Sequence, residues 1–121
     1  MVQLDVPFGP GILSVLMTHL SLMKSHHGQE FDTVADLFLK LPPPAVLLGD
    51  LNMHPENPLL RRLLASEGVE DPVGQRVAHF PHRWEYILLR GVRWRDAGMI
   101  DTGASDHALI WVEIEAQWSL R

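Results

Sequence analysis

The alternation of hydrophobic and polar residues predicts a small fold that mixes strands and helices. Residues 2–6 alternate as a half-buried strand does, and the turn Phe8-Gly9-Pro10-Gly11 connects them to a more apolar strand at residues 12–20. Four apolar residues at 45–48, directly after three prolines, predict a short buried strand. Further extended segments are expected at residues 84–89, 92–100 and 108–114, where β-branched and aromatic residues are frequent.

Two other segments space their apolar residues by three or four positions, which is typical of one face of a helix. These segments are residues 28–41 and 59–66, whereas residues 21–27 and 69–82 lack such a period and are predicted to be loops. Both helices connect strands. The pattern therefore favours an α/β (α+β) fold in which helices cover a mixed β-sheet.

Composition limits the possibilities further. A chain of 121 residues with 46% hydrophobic and 21% charged residues is typical of a single folded domain, here residues 1–121. The net charge of −5 gives no overall attraction to nucleic acid or to an anionic membrane. Because the chain has no cysteine, disulfides and thiolate chemistry are excluded, and any metal ion must bind through oxygen or nitrogen.

The sequence contains no membrane-spanning stretch and no recognisable signal peptide. Neither a run of about 18 apolar residues nor a basic start leading into an apolar core is present. We therefore expect a cytoplasmic protein without a membrane span.

Polar side chains stand at the ends of several of the expected strands. Asp50 and Asn52 follow the buried strand and, being two residues apart, point to the same side from a rigid support. The alternative is that they only form a turn and cap the next helix. His19 ends a strand, where it is either a site residue or a hydrogen-bonded core residue, and Glu85 lies near the start of a later one.

The order of these residues resembles a known superfamily. Thr18-His19-Leu20, Gly49-Asp50-Leu51-Asn52, Glu85-Tyr86-Ile87 and Ser105-Asp106-His107 are similar to the later motifs of the endonuclease/exonuclease/phosphatase superfamily, which has the DNase I-like fold. Asp101-Thr102-Gly103-Ala104 before the last motif agrees with its bacterial members. Each motif alone is weakly specific, but four in the same order are more informative.

The resemblance implies a phosphoesterase, that is, a hydrolase of phosphate ester bonds that uses Mg²⁺ or Mn²⁺. Asp50 would orient or deprotonate the nucleophile and contribute, with Asp106, to the metal site. Asn52 would hold a phosphate oxygen. Carboxylate oxygens are suitable ligands for Mg²⁺, and a bound ion stabilises the charge that develops on a phosphoryl group.

Two histidines complete the catalytic set that the resemblance implies. His19 and His107 would donate hydrogen bonds to the phosphoryl oxygens. Glu85 stands where the family usually has an aspartate that orients the last histidine, and its extra methylene changes the reach of the carboxylate. From the residues alone, Glu85 is equally compatible with a solvated strand position.

The resemblance covers nearly all of this chain but only about the second half of the family's domain. In fold terms the chain corresponds to half of a two-sheet α/β sandwich, truncated at its N-terminal side relative to the family. The missing half normally supplies a second sheet and the main metal-binding glutamate. We therefore expect an exposed apolar sheet face and a homodimer or partner chain that covers it.

Three functions remain open at this point. The chain is an active phosphoesterase in a short form, a non-catalytic interaction module or self-associating remnant of that fold, or a fragment that completes a site together with a separate first half. The substrate class does not follow from the sequence, because nucleic acids, phospholipids and small phosphate esters are all used within the superfamily.

Overall fold

The protein consists of two β-sheets and three helices. The computed structural model describes residues 1–21, 24–80, 83–103 and 107–116. The elements in chain order are β1 (Val2–Phe8), β2 (Gly11–His19), α1 (Lys24–Lys40), β3 (Ala45–Asp50), α2 (Pro58–Leu64), β4 (Val69–Glu70), α3 (Pro72–Arg76), β5 (Glu85–Arg90), β6 (Arg93–Ile100) and β7 (Leu109–Glu115). The predicted α/β (α+β) class with a mixed sheet is confirmed.

The larger sheet has the strand order β1-β2-β3-β5-β4, so β3 lies at its centre. β2 and β3 are parallel, connected by α1, while the other neighbouring pairs are antiparallel. β6 and β7 form a separate antiparallel sheet. The sequence predicts extended segments there, but its pattern does not indicate that they lie outside the main sheet.

Residues 69–82 were predicted to be a loop, and this was wrong for β4 and α3. A strand of two residues and a helix of five are too short to show an apolar period. The start of α3 does carry a recognisable signal, because Asp71 accepts a hydrogen bond from the Gly74 backbone N–H and Pro72 occupies the first turn. Helix α1 begins at Lys24, before the predicted start at residue 28. Its first turn was missed because the residues there are polar and show no apolar period.

The main core lies between the larger sheet and helices α1 and α2. Phe31, Val34 and Phe38 of α1 and Leu60 and Leu63 of α2 pack against the sheet. Burying each of these side chains contributes about 1.5–3 kcal/mol. At the end of α1, the Arg90 guanidinium of β5 donates to the carbonyl oxygens of Leu39 and Leu41, which satisfies the last helical carbonyls and fixes the helix to the sheet.

The opposite face of the larger sheet packs against the β6–β7 sheet. A second core forms there from residues of both layers: Leu13, Val15, Val46, Leu89 and Val92, with Trp94, Val112 and Ile114 packed against them. The face that we expected to be exposed is thus covered in part. Its uncovered part lies on β1 and the end of β2, where Val2, Leu4, Val6 and Met17 remain 39–53% exposed.

Arg83 forms a buried clamp beneath β5. Its guanidinium donates two hydrogen bonds of 2.7 Å to the Asp71 carboxylate and lies 4.2 Å from the centre of the Tyr86 ring. The Tyr86 hydroxyl donates to the Met53 carbonyl oxygen at 2.8 Å. Together these contacts connect the segment after β3 and the start of α3 to the start of β5.

None of the described helices is long and apolar enough to cross a bilayer.

Gly49 permits the close approach of β2 to β3 just before Asp50. It has φ of +138°, and a Cβ atom built on it would lie 1.8 Å from the Thr18 carbonyl oxygen. We expect Gly49→Ala to lower the free energy of unfolding by at least about 2 kcal/mol, because the backbone must move and the positive φ disfavours a side chain. Urea denaturation measures this change.

Gly11→Ala is the matched control, because a Cβ atom at Gly11 has no neighbour within 4 Å. Its effect should stay within about 0.5 kcal/mol. Equal stabilities of the two variants would contradict the proposed role of Gly49.

Burial raises the pKa of Tyr86 above its ordinary value of 10.0, and the nearby Arg83 opposes this only in part. Above pH 10.0 the unfolded chain therefore loses the phenolic proton more readily than the folded chain, so stability that is fully present below this pH is lost as the pH rises. Tyr86 is the only tyrosine, so phenolate absorbance reports on it directly. We expect this absorbance to rise only together with unfolding, followed by circular dichroism. Ionisation near pH 10.0 with the fold intact would show that the ring is accessible.

Candidate metal centre and its surroundings

Three of the candidate residues form one row across the larger sheet. In the strand pairing, His19 of β2 lies opposite Asp50 of β3, and Asp50 lies opposite Glu85 of β5. Residues that are directly opposite on neighbouring strands project to the same face of a sheet. The register therefore brings together side chains that are far apart in the sequence.

Asp50 is the least exposed member of the row. Its side chain is 14% exposed, and its Oδ2 atom lies 3.5 Å from Nε2 of His19. The His19 side chain is 77% exposed, so the alternative of a buried core histidine is wrong. The imidazole can instead meet a ligand from solvent while the carboxylate lies at the floor of the site.

Of the roles considered for Asn52, the structure shows the turn. Its backbone N–H donates to Oδ1 of Asp50 at 2.8 Å in a tight turn, and its φ of 47° lies in the left-handed region, which asparagine tolerates. Its Nδ2 atom donates to the Leu20 carbonyl oxygen at 2.5 Å. The turn is present, whereas the cap of α2 is Asn57. The role of Asn52 in holding a phosphate oxygen stays a prediction.

His107 reaches the row from the segment just before β7. Its Nδ1 atom pairs with Oε1 of Glu85, so the glutamate carboxylate reaches the histidine despite the longer side chain. The two side chains are 42% and 25% exposed, respectively. Asp106, the other predicted metal ligand, lies outside the described residues.

Asp50, Glu85 and His107 could together hold a metal ion. One ligand atom from each lies within 4.8 Å of the other two. Ligand atoms bound to one ion at about 2 Å are at most about 4 Å apart, so the widest pair needs to close by less than about 1 Å. Nδ1 of His107 and Oε1 of Glu85, which contact each other directly, would have to move apart to bind the ion through these two atoms. Within the part of the chain that the structure describes, this is the one group of three such residues. Two carboxylates and an imidazole fit a divalent cation.

Backbone contacts fix the frame around this group. Both chain segments that leave the row continue the pairing, since Leu20 N–H donates to the Asp50 carbonyl oxygen and Leu51 N–H donates to the Trp84 carbonyl oxygen. The Leu51 carbonyl oxygen is in turn 2.8 Å from Nε2 of His27 on α1. A site on such a frame is held with little freedom.

Sequence reasoning did not identify two supporting residues of this region. His27 contacts Leu51, 24 positions away, and Glu30 accepts a hydrogen bond from the Ser21 backbone N–H at 2.8 Å. Neither contact has a local pattern, because both depend on how α1 packs beside the strand ends. The nearby Arg83 clamp was missed for the same reason.

Comparison with known proteins adds no assignment to this geometry. No protein-family model matches the chain, and no curated protein matches it in sequence. The resemblance to the endonuclease/exonuclease/phosphatase superfamily therefore rests on the four short sequence motifs alone.

Proposed function

We propose that the protein is a divalent-metal-dependent phosphoesterase. The observation that carries this proposal is the convergence of His19, Asp50, Glu85 and His107 from three strand ends and the segment before β7. Carboxylates that can hold a cation and exposed imidazoles beside them are the groups that hydrolysis of a phosphate ester requires. The order of the motifs supports the same reaction.

Asp50, Glu85 and His107 are the residues that would hold the ion, which supplies Lewis-acid stabilisation of a phosphoryl oxygen. His19 extends from the same floor into solvent, where its imidazole ring can donate a hydrogen bond to a phosphoryl oxygen. Asp50 interacts with His19 through Oδ2 and with the Asn52 N–H through Oδ1, so its carboxylate plane is fixed. The substrate is a phosphate ester whose class these residues do not specify.

Hydrolysis of bis(p-nitrophenyl) phosphate, with Mg²⁺ and with Mn²⁺, tests this proposal. We expect Asp50→Asn and His19→Gln each to lower the rate by at least about 100-fold, since each removes a group that acts at the phosphoryl centre. Addition of EDTA should abolish the activity of the wild type.

Asp36→Asn provides the control for the loss of one carboxylate. Asp36 pairs with Lys40 on the exposed side of α1, and both side chains are more than 60% exposed. The hydrolysis rate of Asp36→Asn should equal that of the wild type. If Asp50→Asn also retains the wild-type rate, the hydrolysis comes from a contaminant or from another site.

The second candidate function is a self-associating interaction module, and the uncovered part of the sheet face favours it. Val2, Leu4 and Val6 lie opposite Met17, Val15 and Leu13 in the pairing of β1 with β2. Leu13 and Val15 belong to the second core, so the exposed side chains continue a surface that is already an internal interface. An apolar surface of this kind is typical of a binding face.

A second copy of the chain is the occupant that we propose for this face. The exposed side chains of Val2, Leu4, Val6 and Met17 are all apolar and uncharged, so two copies can bury them against each other across a two-fold axis. The edge of β1 is less suitable for pairing, because Pro7 has no N–H and Asp5 would meet its own copy. We therefore expect two copies to meet through the exposed apolar side chains of β1 and β2 rather than by pairing the edges of their β1 strands.

Sedimentation velocity at micromolar concentration tests self-association. Leu4→Glu should weaken the dimer by at least about tenfold, because it places a charge in the apolar face. Ile12→Lys is the control. Ile12 is 59% exposed, but its side chain points to the face of the sheet opposite to that of Leu13 and Val15. A monomeric wild type, or equal effects of the two variants, would contradict this interface.

A further inference from the structure

We propose that Asp50, Glu85 and His107 form a site for a divalent transition-metal ion, in which the His107 imidazole is a ligand and Zn²⁺ and Mn²⁺ bind more tightly than Mg²⁺. This inference deepens the proposed function, because it concerns the ion of that same site. It differs from the roles that the resemblance implies, in which Glu85 only orients His107 and the ion is Mg²⁺ or Mn²⁺ with no stated preference.

The chemistry of the three donors is the first argument. Mg²⁺ requires near-ideal octahedral oxygen ligands and retains several waters, so an imidazole nitrogen contributes little to its binding. Imidazole binds Zn²⁺ and other first-row transition ions well, and mixed carboxylate and imidazole sites follow the order in which Zn²⁺ exceeds Mn²⁺. A set of two carboxylates and one imidazole therefore selects against Mg²⁺.

The strand register is the second, independent argument for a cation. Asp50 and Glu85 lie directly opposite each other on β3 and β5. Two carboxylates in this position repel each other and destabilise the pairing. His19 beside Asp50 and His107 beside Glu85 offset part of this repulsion, and a cation between the two carboxylates would offset it further.

The exposures of the ligands show how the ion would be approached. Exposure increases from Asp50 at the floor through Glu85 to His107, with His19 beside them as the most exposed member. Three protein ligands leave further coordination positions for water or substrate, as catalytic metal sites require. The two most exposed side chains of the group, His107 and His19, lie on the side from which water or substrate would reach the ion.

Electron paramagnetic resonance of Mn²⁺ measures this preference without reference to activity. Titration of the full chain with Mn²⁺, followed by competition with Mg²⁺ and with Zn²⁺, gives the three relative affinities. We expect one Mn²⁺ per chain, displacement by Mg²⁺ only at more than about tenfold excess, and displacement by Zn²⁺ below equal concentration.

His107→Gln should weaken Mn²⁺ binding by at least about tenfold while changing Mg²⁺ binding by less than about threefold. His79→Gln is the matched control, because His79 is exposed and does not belong to the three-residue group. His107→Asp replaces the nitrogen by an oxygen ligand and should bring the affinities for Mn²⁺ and Mg²⁺ closer together. This variant also tests the inference if the glutamine variant does not fold, as judged by circular dichroism.

Competition by Mg²⁺ at equal concentration would overturn the inference, as would equal Mn²⁺ binding by His107→Gln and His79→Gln. These outcomes are separate from those of the hydrolysis assay. Mn²⁺ binding through His107 without phosphodiester hydrolysis would support the metal site and reject the phosphoesterase. Hydrolysis with Mg²⁺, together with unchanged Mn²⁺ binding in His107→Gln, would support the phosphoesterase and reject the metal site that includes His107.

Discussion

The register of β3 against its two neighbours is the constraint on which the rest of the structure depends. Parallel pairing with β2 places His19 opposite Asp50, and antiparallel pairing with β5 places Glu85 opposite the same residue. A shift of either strand by one position would turn its side chains to the other face and separate the three groups. The two cores oppose such a shift, because it would also move apolar side chains out of both of them.

The same strand order explains why one side of the protein differs from the other. Helices α1 and α2 cover one face of the larger sheet, while the opposite face is covered only where β6 and β7 lie. These two strands pack over the part of the sheet near β5, as the contacts of β7 with β5 and of β6 with α3 show. The strands at the other side, β1 and the end of β2, retain an apolar surface. The candidate site is thus held by three paired strands, while the β6–β7 layer covers only part of the larger sheet.

Much of the architecture could be predicted from the sequence, because the strands and the two longer helices have clear apolar patterns. The residues of the candidate site could be proposed because Asp50 and Asn52 follow a buried strand abruptly and because the motif order resembles a known superfamily. The separate β6–β7 sheet could not be predicted, since alternation indicates a strand but not its partner. β4 and α3 were missed because they are short. The contact between Glu85 and His107 and the use of Asn52 to bind Leu20 depend on distant parts of the chain.

The central claim is that the strand register and the segment before β7 together build a metal centre from Asp50, Glu85 and His107. Anomalous X-ray diffraction from crystals grown with Mn²⁺, recorded on both sides of the manganese absorption edge, tests it most directly. The account predicts one strong anomalous peak at about 2.0–2.3 Å from a carboxylate oxygen of Asp50, one of Glu85 and a ring nitrogen of His107. Strong peaks elsewhere with none between these three side chains would contradict it.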